Sequence, residues 1–402
     1  MSGKLLRLVC IAATAAGTAW APVPATAVPE PDTEQRQVAA LLTDLQGLYR
    51  KAEEATEAYN ATEEKLKKQR AATDRLDRAL ARARLSLHDS RGAAGRLARQ
   101  QYQSSTDLSP YVRLLLARDP QHAIEQGHVI GRLAQERAGT VTRLSGKERK
   151  ADELARKART ALDRQLALTE RRRKVRDEVR TRLHDVEELL ASLSREQLTE
   201  LAAFERRGIA KAQEKFMASG ALGSEAAVDD SGENGERAGT GDTVRTPSSE
   251  GGRAVHYAVR QIGKPYEWGA EGPRTYDCSG LTSQAWAEAG TPVPRTSQEQ
   301  WEQLERIPLD ELRPGDLVVY FPKATHVALY LGDGLVVHAP RPGAKVKVSP
   351  IAANPVLGAV RPDPGGEPLR RYEPPELPEG ATDGSDEGYD GYAAPAPDTS
   401  AR

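Results

Sequence analysis

From Leu45 onward, apolar or small side chains recur at alternating steps of three and four residues. The series is Leu45, Leu48, Ala52, Ala55, Tyr59, Thr62, Leu66, Gln69, Thr73, Leu76, Leu80, Ala83, Leu87, Ser90, Ala94, Leu97 and Gln101. Twelve of these 17 positions are apolar, which makes the series a heptad seam. No proline interrupts the chain between Pro31 and Pro110. At 1.5 Å per residue a helix over 34–103 spans roughly 105 Å. A second series runs through Ile130, Leu133, Leu144, Ala151, Leu154, Ala158, Ala161, Leu168, Val175, Val179, Val186, Leu189 and Leu193. It predicts another long helix, continuing to about Met217.

A lone helix of this kind buries little, so its seam needs a partner. Two such helices joined by a break at 104–120 are expected to fold back as an antiparallel coiled-coil hairpin. Within the break, Tyr111-Val112-Arg113-Leu114-Leu115-Leu116 is apolar and is expected to cap the tip. The seam is rich in alanine and carries Arg137, Lys147, Arg172 and Arg182 at core-like positions. A slender, imperfect coil follows, of the kind that bends or exchanges partners. Such a surface reads first as a spacer or docking rod.

Beyond it the pattern changes twice. Residues 219–252 are rich in Gly, Ser, Asp and Glu with almost no large apolar side chains, and residues 363–402 are rich in Pro, Gly and acid. Neither can offset ordering entropy by burial, so both are expected to be disordered, the first as a flexible tether. Between them, 253–362 reads as a compact domain. Residues 254–262 and 277–289 have helical spacing, the second stopped by Gly290. Strand-like runs follow at 316–321, 326–331, 335–339, 346–351 and 356–361. Gly332-Asp333-Gly334 supplies a hairpin signal between two of them. Helices followed by an antiparallel meander predict an α+β domain.

Composition sharpens this division. With 5% aromatic and 29% charged residues, and a mean hydropathy of −0.60, the chain is too polar for one large globule. After the N-terminus it has no apolar run of about 20 residues, which excludes a polytopic membrane protein. The net charge of −1 hides an asymmetry. Residues 28–218 carry 38 basic and 30 acidic side chains, net +8, whereas 253–362 carry 12 and 11. Residues 219–252 are net −5 and 363–402 net −7. The basic excess of the hairpin suits anionic wall polymers or lipid head groups; a solvated coiled-coil face accounts for it as well. Lys4 and Arg7 precede an apolar stretch from Leu8 to Trp20, and Ala25-Thr26-Ala27 gives a small-x-small site. Residues 1–27 therefore read as a secretory signal cleaved after Ala27, and the mature protein as secreted, extracellular or wall-associated. Cys10 lies too early in the apolar core for lipid attachment.

Removal of the signal leaves one cysteine, Cys278. An unpaired cysteine in an oxidising compartment is either a buried inert thiol or a reactive nucleophile. Its neighbours decide. Asp277-Cys278-Ser279-Gly280-Leu281 puts it at the start of a helix, where exposed N–H groups and the positive dipole end favour a thiolate. Downstream, His326 opens a strand, and His338 lies on the strand that follows the hairpin signal. A thiolate needs a base, and the base needs a group that fixes its tautomer. Simple pairing of Gly332 with Leu335 sets His338 opposite Leu329 and His326 opposite Arg341. The two rings then meet only if the register bulges or shifts. The alternative, a zinc site of Cys278, His326 and His338, lacks a fourth ligand and the usual paired spacing.

Five blocks in order resemble the NlpC-type family of papain-like cysteine peptidases of the bacterial cell wall. They are Gly263-Lys264-Pro265-Tyr266-Glu267-Trp268-Gly269, the block around Cys278, Val293-Pro294-Arg295-Thr296-Ser297, Leu312-Arg313-Pro314-Gly315-Asp316-Leu317-Val318, and His326-Val327-Ala328-Leu329-Tyr330-Leu331-Gly332 with His338-Ala339-Pro340. The resemblance covers about 110 of the 402 residues. It implies a papain-like α+β domain at 253–362 behind the hairpin of 28–218. It also implies Cys278 as nucleophile, His326 as general base and His338 as orienting residue. Tyr266 would lie on the oxyanion or substrate side, and Asp277 and Ser279 would meet polar groups of the substrate. That substrate is the peptidoglycan stem peptide, often its γ-D-glutamyl–diaminopimelate bond. No cofactor, no metal and no nucleic-acid partner is implied. The hairpin resembles N-terminal segments of actinobacterial members, which implies a membrane or divisome regulator acting through the coiled coil. The competing function is a non-catalytic wall-binding or scaffold protein that works through its coil. The tether of 219–252 also lets the coil fold back over its own active site, so an isolated 253–362 domain is expected to be more active than the mature chain.

Overall fold

The computed structural model describes residues 33–104, 110–115, 119–223 and 245–384. The expected signal segment, the greater part of the tether and residues 385–402 of the tail lie outside them.

Helices α1 (Thr33–Ser104) and α3 (Pro120–Ala191) are 72 residues each and pack along one another, with the short α2 (Pro110–Leu115) between them. Their direction follows from cross-helix contacts. Arg91 pairs with Glu148, Gln69 donates to the carbonyl of Ala161, Glu63 pairs with Arg172, and Leu45 clusters with Leu190. As one number falls the other rises, so the hairpin is antiparallel. The heptad positions Leu45, Ala52, Ala55, Thr62, Leu66, Thr73, Leu80 and Leu87 face Ala151, Ala158, Ala161, Val179 and Val186 in the buried seam, joined by Tyr49 and Leu190, which lie outside the expected series; Leu190 rather than Leu189 is the buried one. Charged groups expected within the seam reach out of it instead. Lys147 Nζ donates to the carbonyl of Ser86 at 3.3 Å, and Arg172 meets Glu63 at 2.9 Å.

The second long helix does not run unbroken to Met217. It stops at Ala191, and α4 (Arg195–Ala218) begins afresh behind Ser194, whose hydroxyl accepts from Gln197 N–H while Gln197 Oε1 accepts from Ser194 N–H. This reciprocal cap satisfies two helix-end donors and lets the chain turn. The turn carries α4 onto the C-terminal domain, where Phe216 packs and Gln213 bonds the carbonyl of Gly334 and the N–H of Ala352.

The domain contains α5 (Ser249–Val259), α6 (Cys278–Glu288), α7 (Ser297–Gln303) and a six-stranded antiparallel sheet. The strands are β1 (Glu305–Ile307), β2 (Leu317–Tyr320), β3 (His326–Gly332), β4 (Leu335–His338), β5 (Lys347–Pro350) and β6 (Val356–Arg361). Strands β2 to β5 form the expected meander. Strand β6 does not extend it but crosses back between β1 and β2, giving the order β1-β6-β2-β3-β4-β5. One face of the sheet packs against α5 and α6 around the fully buried Trp286; the other, with Val318, Tyr320, Ala328 and Tyr330, receives Phe216 and Leu222.

Two stretches expected to be disordered are partly built into this domain. Helix α5 starts at Ser249 rather than near 254, capped by Ser248 and burying Gly251 and Gly252. Residues 363–384 run across the domain, where Asp363 bonds Ser248 and Arg313, Leu369 N–H donates to Pro247, and Ala381 accepts from Val348. Backbone pairing and buried ions hold these polar segments, where apolar burial alone would not.

Candidate active site

Asp277 caps α6, its Oδ1 accepting from Gly280 N–H at 2.6 Å, so Cys278 is the first residue of the helix. The loop before the helix presses against it. A side chain at Gly280 would collide with the carbonyl oxygen of Ala270, which is why this position of the block must be glycine. Asp277 also accepts from Gly269 N–H at 2.9 Å and from Arg295 at 3.1 and 2.7 Å. Arg295 in turn reaches Ser279 Oγ at 2.9 Å and Glu271 at 2.8 Å. Asp277 and Ser279, expected on the substrate side, thus belong to a network built around Arg295. No sequence signal gave Arg295 a role; its nearly buried side chain and bidentate pairing mark it as the clamp of this wall.

The two histidines meet because the sheet bulges. Gly332 pairs with Leu335, but the register slips by one, so that Tyr330 pairs with Val336 and Leu329 with Val337. A one-residue slip transfers every later side chain to the other face. It places His338 on the face of Ala328 and His326 instead of that of Leu329. Their ring nitrogens, His326 Nε2 and His338 Nδ1, then lie 2.8 Å apart, and His338 Nε2 lies 3.1 Å from Ser349 Oγ on β5. All three residues are buried. With His326 Nε2 turned to His338, the ring offers Nδ1 to the cleft. The zinc alternative would need both rings aimed at one ion, whereas here they are aimed at each other. No sequence signal singled out Ser349; β-pairing with β4 brings it in.

The cleft is covered by α1. Glu57 Oε1 lies 4.0 Å from Cys278 Sγ and accepts from Ser279 Oγ at 2.9 Å, while Oε2 accepts from Ser297 N–H at 3.0 Å. One turn earlier, Glu53 Oε1 is 3.8 Å from His326 Nδ1. Nearly one turn later, Asn60 donates to Asp277 Oδ2 at 3.0 Å. One stripe of α1 therefore spans Cys278 and His326, which locates both under the same two helical turns.

This cover sets the electrostatics. Burial, together with the charges of Glu57, Asp277 and Glu53, pushes the Cys278 thiol well above its ordinary range. The helix start was expected to favour a thiolate; beneath α1, desolvation and three carboxylates outweigh it. Glu57 itself is raised from 4.5 to about 7, first by burial and then by Asp277. Tyr266, also buried, is raised well above its ordinary value by burial and by the nearby Cys278 and Asp277, so its phenol stays a proton donor.

A family model described as the NlpC/P60 family matches residues 263–358. A probable endopeptidase of Corynebacterium glutamicum is 47% identical over 94 residues, 23% of this chain and 45% of that one. A probable endopeptidase of Mycobacterium tuberculosis is 37% identical over 119 residues, 29% of this chain and 31% of that one. Among solved structures, the NlpC/p60 domain of the peptidoglycan hydrolase SagA is 32% identical, with 28% of this chain and 97% of that chain covered and a TM-score of 0.26. The chain spans less than half the length of the curated relatives it matches. Residues 263–358, which hold Tyr266, Cys278, Arg295, His326, His338 and Ser349, are an NlpC/P60 domain.

Proposed function

We propose that this domain is a cysteine endopeptidase that cuts peptidoglycan stem peptides, with Cys278 as nucleophile, His326 as general base and then acid, and His338 as orienting residue. The observation that carries the reading is the chain of imidazoles behind the only cysteine outside residues 1–27: His326 Nε2 to His338 Nδ1, and His338 Nε2 to Ser349 Oγ. A thiol alone is a poor nucleophile; a base of fixed tautomer makes it effective. His326 Nε2–H donating to His338 leaves His326 Nδ1 to accept the thiol proton. The sulfur then attacks the scissile carbonyl carbon, and the neutral Tyr266 phenol stabilises the oxyanion. Collapse expels the amine, which takes the proton from His326, and leaves a thioester. Water gives its proton to His326 and attacks the thioester, and the departing sulfur regains a proton.

The wall formed by Ser279, Arg295, Ser297 N–H and Asp277 supports a substrate with a free carboxylate beside the cut bond, since Glu57 rests its own carboxylate there. A γ-D-glutamyl–diaminopimelate linkage carries such a group. The N-terminal pattern of 1–27 supports secretion to the wall. The test is prolonged digestion of purified peptidoglycan by the chain and by fragment 245–384, with new termini identified by mass spectrometry. Loss of all new termini in Cys278→Ser is expected. Equal product from wild type and Cys278→Ser ends the reading.

A further inference from the structure

We propose that Arg341 is a specificity-determining residue on the leaving-group side of the cleft, where it binds a carboxylate carried by the residue whose amine is released; this rests on the cysteine-peptidase reading above. Helix α1 lies along the cleft and marks out its length. Asn60 meets Asp277, and Tyr59 stands edge-on to Trp268 with ring centroids 5.0 Å apart. Glu57 meets Cys278, Ser279 and Ser297, and Glu53 faces His326. The Arg341 guanidinium stacks over Tyr49, 4.8 Å from the ring centroid. Positions 49, 53, 57 and 60 fall on one stripe of the helix, at steps of four and three. The groups along the cleft therefore follow in the order Arg341, His326, Cys278, Asp277. From Glu57 back to Tyr49 the helix advances about 12 Å, which sets the distance of Arg341 from Cys278 along that line.

The chemistry gives the line a direction. The acyl part of the substrate lies against Ser279, Arg295 and the Ser297 N–H, where Glu57 rests its carboxylate. The leaving amine takes its proton from His326, and a general acid must stand within hydrogen-bond reach of its leaving group. The residue that carries the amine thus extends past His326, toward Arg341. That end of the cleft is firmly built. Arg341 follows His338 on the loop that leaves β4, and its carbonyl accepts from Ala344 N–H at 3.0 Å. The Ala344 carbonyl in turn accepts from Tyr266 N–H at 2.9 Å, which fastens the loop to the segment bearing Tyr266. Arg341 Nη2 donates to Asn354 Oδ1 at 3.5 Å, and the residue is 4% exposed with Tyr49 in place. Tyr49 takes the face of the guanidinium. A substrate carboxylate in place of α1 would take its N–H edge, the geometry that suits a planar fork.

Length selects the ligand. The attacked carbon comes about 3–3.5 Å from the sulfur. The far carboxylate of a diaminopimelate residue stands six bonds from the released nitrogen, about 7 Å when extended. It reaches about 11 Å from the sulfur, which matches the place of Arg341. Lysine is the same chain without that carboxylate, so a site of this kind separates the two.

The test uses the chain starting at residue 28 and two peptides, L-Ala-γ-D-Glu-meso-diaminopimelate-D-Ala and the same peptide with L-Lys in place of diaminopimelate. Values of kcat/KM are measured for both with wild type, Arg341→Ala and Arg341→Lys, the fold being checked by circular dichroism. Docking of α1 lowers both rates alike, so the ratio reports the site and not its cover. Wild type should favour the diaminopimelate peptide by about tenfold to a hundredfold, the weight of a charge-assisted pair. Arg341→Ala should bring the ratio to within about threefold of one, and Arg341→Lys, which keeps the charge without the fork, should fall between. Calorimetric binding of the two peptides to Cys278→Ser and to Cys278→Ser/Arg341→Ala gives the same comparison without turnover. A wild type without preference, or a preference unchanged in Arg341→Ala, overturns the proposal. If Cys278→Ser prefers the diaminopimelate peptide, the double variant does not, and no chain cuts either peptide, the carboxylate site stands and the peptidase reading falls.

Discussion

At pH 5 the cleft should be held shut more firmly than at pH 8, and Glu57 supplies the reason. When α1 is docked, this carboxyl titrates at about 7 instead of 4.5, mainly through burial and then through Asp277, with Arg295, Ser279 and Ser297 opposing the rise. Asn60 donates to its Oε1 at 3.4 Å and Cys278 Sγ lies 4.0 Å away, while Glu53, one turn earlier on α1, faces His326. Once α1 lifts, Glu57 returns to water and to its ordinary value. The docked state thus binds the proton more tightly. Its proton-linked stabilisation is fully present below about 4.5 and is lost as the pH rises through about 7. At about 1.4 kcal/mol per pH unit, the full difference is about 3 kcal/mol, or about 10²-fold in the docking equilibrium. The raised Cys278 thiol acts in the same direction at higher pH. The assay is labelling of Cys278 by a pyridyl disulfide, which stays reactive in acid, in wild type and in Glu57→Gln between pH 5 and 8. Glutamine keeps the hydrogen bonds of protonated Glu57 but does not titrate. The wild-type to Glu57→Gln ratio, in which the thiolate fraction cancels, should be only about fourfold at pH 5 and climb past about 10² before levelling above pH 7. A ratio that stays constant or falls refutes the argument.

His326→Ala should remove nearly all hydrolysis, because a general acid–base group contributes roughly 10²- to 10⁴-fold; initial rates on a defined stem peptide check this, and an active folded variant reverses the assignment of the two histidines. His338→Ala should be impaired but measurable, with His338→Gln retaining more, and Ser349→Ala should lower the rate less than either, shifting the pH profile rather than the affinity for substrate. Fragment 245–384, which includes the α5 cap and residues 363–384, should exceed the specific activity of a chain starting at residue 28; equal activities on the same peptidoglycan argue against coverage by α1. Trp286→Ala should destabilise the domain by about 3–5 kcal/mol, since the side chain is fully buried and donates to the carbonyl of Gly315 at 3.1 Å; a thermal melt unchanged within error would contradict this.

Much of the fold was legible because it is governed by local periodicity. Heptad spacing alone located most seam residues of both long helices, though Leu133 is exposed and the buried Tyr49 and Leu190 fall outside the series, and alternation with Gly-Asp-Gly punctuation located β2 to β6 within a residue or two. The candidate site was legible for a related reason: a lone cysteine at a helix start and two histidines on adjacent strands are unusual residues in unusual places. Helix α7 and β1 were missed because they are too short to show a period. The return of β6 to the side of β2 depends on which sheet edge is free, which no local pattern records. The pairing of His326 with His338 hung on a single register slip between Tyr330 and Gly332. The sequence showed that a slip was needed, but only the packed sheet determined that it occurs. Glu53, Glu57 and Asn60 were the least legible of all. Along the chain they are ordinary polar positions outside a heptad seam, indistinguishable from a solvated face. What buries them is a surface in a different domain, far downstream in the sequence, and only the tertiary structure brings the two together.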